Sequence, residues 1–247
     1  MNLINEINKR VSKKEKMWAV LIDPDKTNIS KIHELCDAIN KSSCDYVLVG
    51  GSLMTKNLFE LCIISLRKYL RKKIIIFPGN NLQISSEADA ILLLSLISGR
   101  NPELLIGQHI QTSFQLKNSD LEILSCGYLI IESDELTSVQ YMSNTIPIPK
   151  NKTDIGAATA LAGEQLGLKF MYIDAGSGAN KPINTNMISA IKRTISTPLF
   201  VGGGISNQRD LEKAWQNGAD IVVIGTAIEK DKQLLLDIIP YNNSVCT

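Results

Sequence analysis

The fold class this chain predicts is α/β, a (β/α)8 TIM barrel, and three observations carry it. Eight short apolar runs alternate with helical patterns, as parallel βαβ units require. The last two runs each lead into a glycine-rich turn, Val201-Gly202-Gly203-Gly204-Ile205 and Ile224-Gly225-Thr226-Ala227. Such turns let backbone N–H groups approach an anion closely, and a pair of them after the last two strands describes the phosphate pocket of a barrel. The length of 247 residues, with 44% hydrophobic and 21% charged, suits a single barrel domain over residues 1–247.

Taken in order, the predicted strands are Trp18 to Ile22, Tyr46 to Val49, Ile74 to Phe77, Ala90 to Leu94, Tyr128 to Ile131, Phe170 to Asp174, Leu199 to Val201 and Ile221 to Ile224. Helical patterns fall at Ile29 to Asn40, Asn57 to Leu70, Pro102 to Leu116, Asp154 to Leu166, Thr185 to Thr194, Asn207 to Asn217 and Lys230 to Ile239. Asn28 or Ser30, Thr153-Asp154 and Asn207 are suited to cap helices, Pro102 to open a first turn, and Gly167 and Gly218 to end a last one. Between the third and fourth runs, Pro78-Gly79-Asn80-Asn81 opens a segment too short for two loops and a helix. The helix between strands 3 and 4 is therefore missing or replaced, and the bared outer side of the sheet needs a partner subunit, a displaced helix or an apolar ligand. The stretch from Glu132 to Lys152, held extended by Pro147 and Pro149, has the length of a loop that covers a site or an interface.

Composition narrows the function. A formal net charge of +1 with scattered basic residues gives no nucleic-acid footprint. Two short basic clusters, at Lys13 to Lys16 and at Arg67 to Lys73, read as solvated helix ends, and the second also suits peripheral contact with an anionic membrane surface. Cys36, Cys44, Cys62, Cys126 and Cys246 form no CxxC pair, and His33 and His109 stand far apart, which speaks against a disulfide scaffold or a zinc site. The N-terminus has no signal-type apolar segment and the longest apolar stretch, Ala90 to Ile97, is broken by Ser95, so a reducing cytoplasm is the expected location.

Three strand ends carry candidate chemistry, because the C-terminal ends of barrel strands face a common mouth. The first, Leu21-Ile22-Asp23-Pro24-Asp25-Lys26, places Asp23 where a carboxylate can hold Mg²⁺ on substrate phosphates, although Asp-Pro-Asp is equally ordinary turn chemistry. The second, Val49-Gly50-Gly51-Ser52, offers the Ser52 hydroxyl as a further metal ligand, or simply a flexible turn. The sixth continues Tyr172-Ile173-Asp174-Ala175-Gly176-Ser177-Gly178, and strand alternation puts Tyr172 and Asp174 on one side. That pair can bind a polyol and accept a proton from its hydroxyl, or can be a buried hydrogen bond with no further role.

Those segments, together with Ser98-Gly99-Arg100-Asn101-Pro102, Pro147-Ile148-Pro149 and the two late glycine turns, resemble the geranylgeranylglyceryl phosphate synthase family in order over nearly the whole chain, in particular its larger archaeal and bacterial branch. The resemblance implies a Mg²⁺-dependent prenyltransferase that joins geranylgeranyl diphosphate to the 3-hydroxyl of sn-glycerol 1-phosphate, releasing diphosphate and forming an ether phospholipid precursor. It implies that Asp23 and Ser52 hold the metal and that Tyr172, Ile173, Asp174, Ala175, Gly176, Ser177 and Gly178 bind the glycerol, with Tyr172 and Asp174 catalytic. Gly203, Gly204, Gly225 and Thr226 would hold its phosphate. A homo-oligomer, dimeric or hexameric, is implied as well.

An apolar channel for the twenty-carbon tail is expected near the missing helix, with Leu92, Leu94, Leu96, Ile97, Leu104 and Leu105 as neighbours. Two positions differ from the family pattern. Members commonly carry Glu where this chain has Asp174, one methylene shorter, which calls for a bridging water, and the short branch has Lys where Leu21 stands. Other phosphate-binding barrels, such as sugar-phosphate isomerases, share the glycine pair, and a non-catalytic phosphate- or lipid-binding member is the alternative from outside enzymology.

Overall fold

Strand β1 (Met17–Ile22) pairs in parallel with β2 (Tyr46–Val49) on one side and with β8 (Ile221–Ile224) on the other, so the sheet closes on itself. The computed structural model describes residues 2–241. Between these strands run β3 (Lys73–Ile76), β4 (Ala90–Leu96), β5 (Glu122–Ile130), β6 (Phe170–Asp174) and β7 (Leu199–Gly202), each parallel to its sequence neighbours. All eight predicted strands are present. Cys246 lies outside the described residues.

Alternation along each strand divides the core into two layers. Met17, Ala19, Tyr46, Leu48, Ile75, Leu92, Cys126, Tyr128, Phe170, Tyr172, Phe200 and Val223 fill the barrel interior, whereas Val20, Val47, Ile74, Leu129, Ile173, Val201 and Val222 pack outward against helices. The helices are α2 (Ile32–Lys41), α3 (Phe59–Tyr69), α4 (Gln108–Lys117), α6 (Thr153–Gln165), α7 (Thr185–Thr194) and α8 (Gln208–Gln216), with α1, α5, α9 and α10 described below. Asn28 and Asn207 cap as expected, accepting from Ser30 N–H at 3.1 Å and Asp210 N–H at 3.0 Å. Thr153-Asp154 does not: α6 starts at Thr153 after Lys152 with no side-chain cap, so Asp154 instead places its negative charge in the first turn. Gly167 and Gly218 take the stop positions after α6 and α8.

Two elements escape the periodic pattern. Helix α1 (Leu3–Ser12) seals the N-terminal end of the barrel by sending Leu3 and Ile7 into the interior layer, a burial that contributes about 1.5–3 kcal/mol per side chain. Glu122, the first residue of β5, satisfies its free N–H groups from across the chain, accepting from Leu3 at 2.6 Å and Ile4 at 2.9 Å. The C-terminal pattern is a correction. In place of one helix from Lys230 to Ile239 there are two short ones, α9 (Thr226–Lys230) and α10 (Leu234–Asp237). Asp231 separates them because its carboxylate accepts from Gln233 N–H at 2.9 Å, a local bond that competes with helix continuation.

No helix lies between β3 and β4. The segment from Phe77 to Asp89 instead folds as turns around buried Gln83, whose amide accepts from Gly79 N–H at 3.2 Å and donates to the Gly51 carbonyl at 2.9 Å. This seam is short, with only Ile75 opposite Ala90 and Ile76 opposite Ile91 in register. Just beyond it the helix leading into α4 opens with a wide π-type turn, Glu103–Gly107, after Pro102.

Candidate active site

Strand ends β1, β2 and β6 to β8 surround one polar cavity at the C-terminal mouth. Asp23, Ser52, Tyr172, Asp174, Gly176, Ser177, Gly178, Gly203, Gly204, Gly225 and Thr226 all line it. Ile173 and Ala175 do not. Both sit in the outer core layer, and the Ala175 N–H is taken by the Gly202 carbonyl at 3.1 Å, which follows from strand parity: neighbours of an inward residue face outward.

The side of the cavity toward β7 and β8 is made largely of main chain. Gly203 and Gly204 turn through φ of +83° and +72°, and a Cβ on Gly204 would lie 2.1 Å from the Lys181 carbonyl oxygen, so only glycine fits this close approach of two loops. Opposite them Gly225 leads into α9, where helix geometry leaves the N–H groups of Thr226 and Ala227 without intrahelical acceptors. The Thr226 hydroxyl comes within 3.5 Å of the Ser177 hydroxyl, which joins this turn to the loop after β6.

Asp174 lies at the bottom, 6% exposed. Its Oδ1 accepts from Gly176 N–H at 2.7 Å, and its Oδ2 accepts from the hydroxyl of Tyr128, not Tyr172, at 2.6 Å. Burial raises its pKa, and the two hydrogen bonds pull in the other direction without cancelling it. Tyr172 is stacked between Phe77 at 5.0 Å and Phe200 at 5.7 Å, and Tyr128 meets Phe77 and Tyr172 edge-on. Burial, then the neighbouring Asp174 charge, pushes both phenols well above their usual value, so they remain protonated donors.

At the β1 end, Asp23 Oδ1 accepts from Asp25 N–H at 3.0 Å and its Oδ2 lies 3.1 Å from Lys26 Nζ. Lys26 also reaches Glu229 at 3.5 Å; burial works against its charge, but the two carboxylates outweigh that and raise its pKa. Asp25 also borders the cavity, but its carboxylate is taken up by Thr55 and Lys56 in the loop after β2, whereas that of Asp23 is held, among the described residues, only by Asp25 N–H and Lys26. No cluster of three or more His, Cys, Asp or Glu ligands occurs among the described residues. The hard oxygen donors of Asp23 and Ser52 nevertheless fit Mg²⁺, which takes one or two carboxylates and fills its remaining positions with water and substrate phosphate.

An apolar groove occupies the place of the missing helix. Ile91, Leu93, Leu94, Leu96 and Leu104 form its walls, with Val139 and Met142 of α5 (Ser138–Ser143) above. Of the residues expected there, Leu94, Leu96 and Leu104 are in place. Leu92 belongs to the barrel interior, Ile97 packs by Gly127 and Gly163, and Leu105 is not on the wall. His109 lines the groove with Nδ1 buried and without a partner, and burial lowers its pKa against the opposing pull of backbone hydrogen bonds to Leu94 and Ile106. The long Glu132 to Lys152 stretch covers both spaces, since Ser138 borders the polar cavity and Ser143 the groove. Cavity and groove meet at Gly51, Ser52, Leu53, Phe77 and Tyr128.

Sequence reasoning gave no role to Tyr128, Phe77, Lys26 or Glu229. Lys26 stood within a quoted motif and Tyr128 within a quoted strand. The parity of β5, which sends Cys126, Tyr128 and Ile130 inward, was the signal that could have found the phenol.

A closed parallel barrel with a glycine-edged polar cavity at its C-terminal mouth and an adjoining apolar groove defines a class: a TIM barrel whose mouth joins a polar space to an apolar one. The profile of the PcrB family matches residues 9–241, and the chain belongs to that family. It is 46% identical over 239 residues to the geranylgeranylglyceryl phosphate synthase of Chitinophaga pinensis, covering 96% of this chain and 94% of that one. With the enzyme of that name from Thermococcus kodakarensis identity is 39%, over 88% and 86% of the two chains. The crystal structure of (S)-3-O-geranylgeranylglyceryl phosphate synthase from Thermoplasma acidophilum, in complex with its substrate sn-glycerol-1-phosphate, superposes with a TM-score of 0.90 at 26% identity, over 96% of this chain and 97% of that one. Tryptophan synthase α-subunit from Pyrococcus furiosus, at 12% identity and a TM-score of 0.55, shares the barrel fold.

Proposed function

We infer that the protein is a geranylgeranylglyceryl phosphate synthase, joining the prenyl chain of geranylgeranyl diphosphate to the 3-hydroxyl of sn-glycerol 1-phosphate with release of diphosphate. The observation that carries this reading is the junction at Ser52, Phe77 and Tyr128, where a polar cavity built for an anion opens into an apolar groove. A sugar-phosphate isomerase would have no use for that groove.

The amides around Gly203, Gly204, Gly225 and Thr226 hold the glycerol phosphate, and Tyr172, Asp174, Gly176, Ser177 and Gly178 shape the space for its carbons. Asp174 receives the proton of the attacking hydroxyl; burial in place of full solvation suits it to that task by raising its proton affinity. Asp23 and Ser52 would hold Mg²⁺. When bound, that ion neutralises the diphosphate so that it can depart with the electron pair of the allylic C–O bond. Lys26, 3.1 Å from Asp23, stands ready to add its charge to the same leaving group. The groove takes the tail, and Phe77 and the Tyr128 ring exclude water at its open end.

Association into a homo-oligomer is part of the proposal. Ile106, Ile110 and Phe114, spaced four residues apart along the outer side of the α4 region, are 57%, 67% and 77% exposed, an apolar ridge that calls for cover. No helix among the described residues is long and apolar enough to cross a membrane, so delivery of the lipid substrate needs only peripheral contact. Free buried thiols at Cys36, Cys44, Cys62 and Cys126 suit a reducing cytoplasm.

The deciding experiment incubates purified protein with labelled sn-glycerol 1-phosphate, geranylgeranyl diphosphate and Mg²⁺, with and without a chelator. Label should pass into the organic phase only where the metal is free. No transfer beside an active control would overturn the reading, and transfer in chelator would remove the metal from it.

A further inference from the structure

The oxygens of Asp174 are both engaged before any substrate arrives. Gly176 N–H holds Oδ1 at 2.7 Å and the Tyr128 hydroxyl covers Oδ2 at 2.6 Å. Only 6% of the residue is exposed. Tyr128, 5% exposed, lines the same polar cavity as Asp174, so a glycerol hydroxyl placed there faces the phenol oxygen as well as the carboxylate. Tyr128 borders the polar cavity and the apolar groove alike, and in register it stands opposite Tyr172 on β6 and Leu96 on β4, with its ring fixed by edge contacts to Phe77 at 5.8 Å and Tyr172 at 5.6 Å. A phenol that donates its proton keeps lone pairs with which to accept another.

We propose that Tyr128 is a catalytic residue, the relay through which the proton of the glycerol 3-hydroxyl reaches Asp174. The glycerol hydroxyl donates to Tyr128 Oη. As its oxygen bonds to the first carbon of the prenyl chain, the bond from that carbon to diphosphate breaks and the electron pair leaves on diphosphate. The glycerol proton passes to Tyr128 Oη, and the phenol proton passes to Asp174 Oδ2. Tyr128 ends neutral, Asp174 ends protonated, and no other reactant is needed. Burial raises the proton affinity of the carboxylate, which favours the overall transfer, and it keeps the resting phenol protonated, so the two proton transfers run together rather than through a phenolate. This relay takes the place of the bridging water that a shortened side chain would otherwise call for, and it rests on Asp174 being the final proton acceptor.

Four enzymes test it: wild type, Tyr128→Phe, Asp174→Glu and the double variant, each checked for an unchanged thermal melt. Tyr128→Phe is expected to lower kcat by about 10²-fold or more, the usual size of a lost acid–base contribution, with KM for glycerol 1-phosphate changed less than about threefold. In the Asp174→Glu background, where the longer carboxylate reaches the hydroxyl directly, the same change should cost less than about tenfold in kcat. Near-wild-type turnover of Tyr128→Phe, or an equal loss in both backgrounds, overturns the relay. Should the Phe variant fail to fold, a single-turnover proton inventory on the wild type decides. Two protons in flight bow the plot of rate against deuterium fraction, whereas a straight or flat plot rejects the proposal. Asp174→Asn separates this idea from the one beneath it: an active Asn variant removes the base itself, while an inactive one beside an active Tyr128→Phe removes only the relay.

Discussion

The two sides of the barrel mouth are built from opposite materials. On the side of β6, β7 and β8 the contact surface is main chain, set by Gly203 and Gly204 at positive φ and by the start of α9. On the side of β3 and β4 it is mainly apolar side chains, Ile91, Leu93 and Leu94 with Leu104, in the gap left by the helix missing between those strands and bordered by α4 and α5. Backbone recognition is specific and brittle, since it depends on atoms that substitution cannot adjust. Side-chain recognition is graded, because apolar contact scales with area.

Loss of Asp23, the proposed metal ligand, should divide the two sides most widely. Asp23→Asn is expected to lower turnover about 10³-fold, equivalent to the several kcal/mol that charge neutralisation at a leaving group supplies. Calorimetric binding of glycerol 1-phosphate should stay within about twofold, because Asp23 belongs to the β1 end and is bonded to Asp25 N–H and Lys26, not to the turns at Gly203, Gly204 and Gly225. Equal loss in both measurements would mean that the anions are not held separately. Next in size comes Gly204→Ala, which asks whether the phosphate side is as brittle as its geometry says. With a Cβ 2.1 Å from the Lys181 carbonyl and φ at +72°, the loop must move. KM for glycerol 1-phosphate should rise more than about tenfold, and the αL penalty alone takes about 1–2 kcal/mol from stability in a urea titration.

These sides also differ in how far the sequence disclosed them. Glycine is the residue whose presence forces a backbone inference, so Gly203, Gly204 and Gly225 could be placed at the mouth from their spacing after strands. The groove was legible only as a shortage of residues between β3 and β4. Which leucines face it depends on strand parity and on the π-type turn at Glu103–Gly107, and so Leu92, Ile97 and Leu105 were expected in it and lie elsewhere. Helix α1 went unread because its apolar face is narrow, with only Leu3 and Ile7 fully buried, and its anchoring partner Glu122 is 119 residues away from Leu3. Tyr128 was missed for a related reason: its bond to Asp174 spans 46 residues, and no local pattern announces a pairing across neighbouring strands.

A smaller effect tests the graded character of the groove. Thr112 and Leu116 line it from α4, and Thr112 is buried there with its hydroxyl donating back to the Gln108 carbonyl at 3.1 Å. Thr112→Trp adds bulk without touching the polar cavity. The ratio of kcat/KM for the twenty-carbon diphosphate to that for the fifteen-carbon one is expected to fall about 10- to 100-fold, as a few methylenes expelled from an apolar pocket dictate. An unchanged ratio would place the tail elsewhere, while binding of glycerol 1-phosphate serves as the internal control.

The smallest expected effect concerns how the barrel stays closed where its helix is absent. Asp89, just ahead of β4, accepts from Ile74 N–H at 2.8 Å in β3 and pairs with Arg67 at 2.7 Å and Lys73 at 2.8 Å. Burial pushes its pKa up, but the bonds from Lys73, Ile74 N–H and Arg67 outweigh it and hold the carboxyl below the usual value. Across the barrel Asp220 does the same for β7, accepting from Leu199 N–H at 2.8 Å and pairing with Lys192 at 2.6 Å, yet there the seam is also supported by packed helices. Asp89→Asn keeps the shape and removes the charge, so stability at neutral pH should fall by about 1–2 kcal/mol, the size of charge-assisted hydrogen bonds at a partly exposed site. The sign with pH follows from the lowered folded value. The contribution is complete above the unfolded aspartate pKa of about 3.9 and disappears as pH falls through the folded one, so the two proteins should converge in acid. Urea titrations at pH 7 and in steps below pH 4 check this, and a gap that persists undiminished in acid would show that the Asp89 charge does not hold the β3–β4 seam.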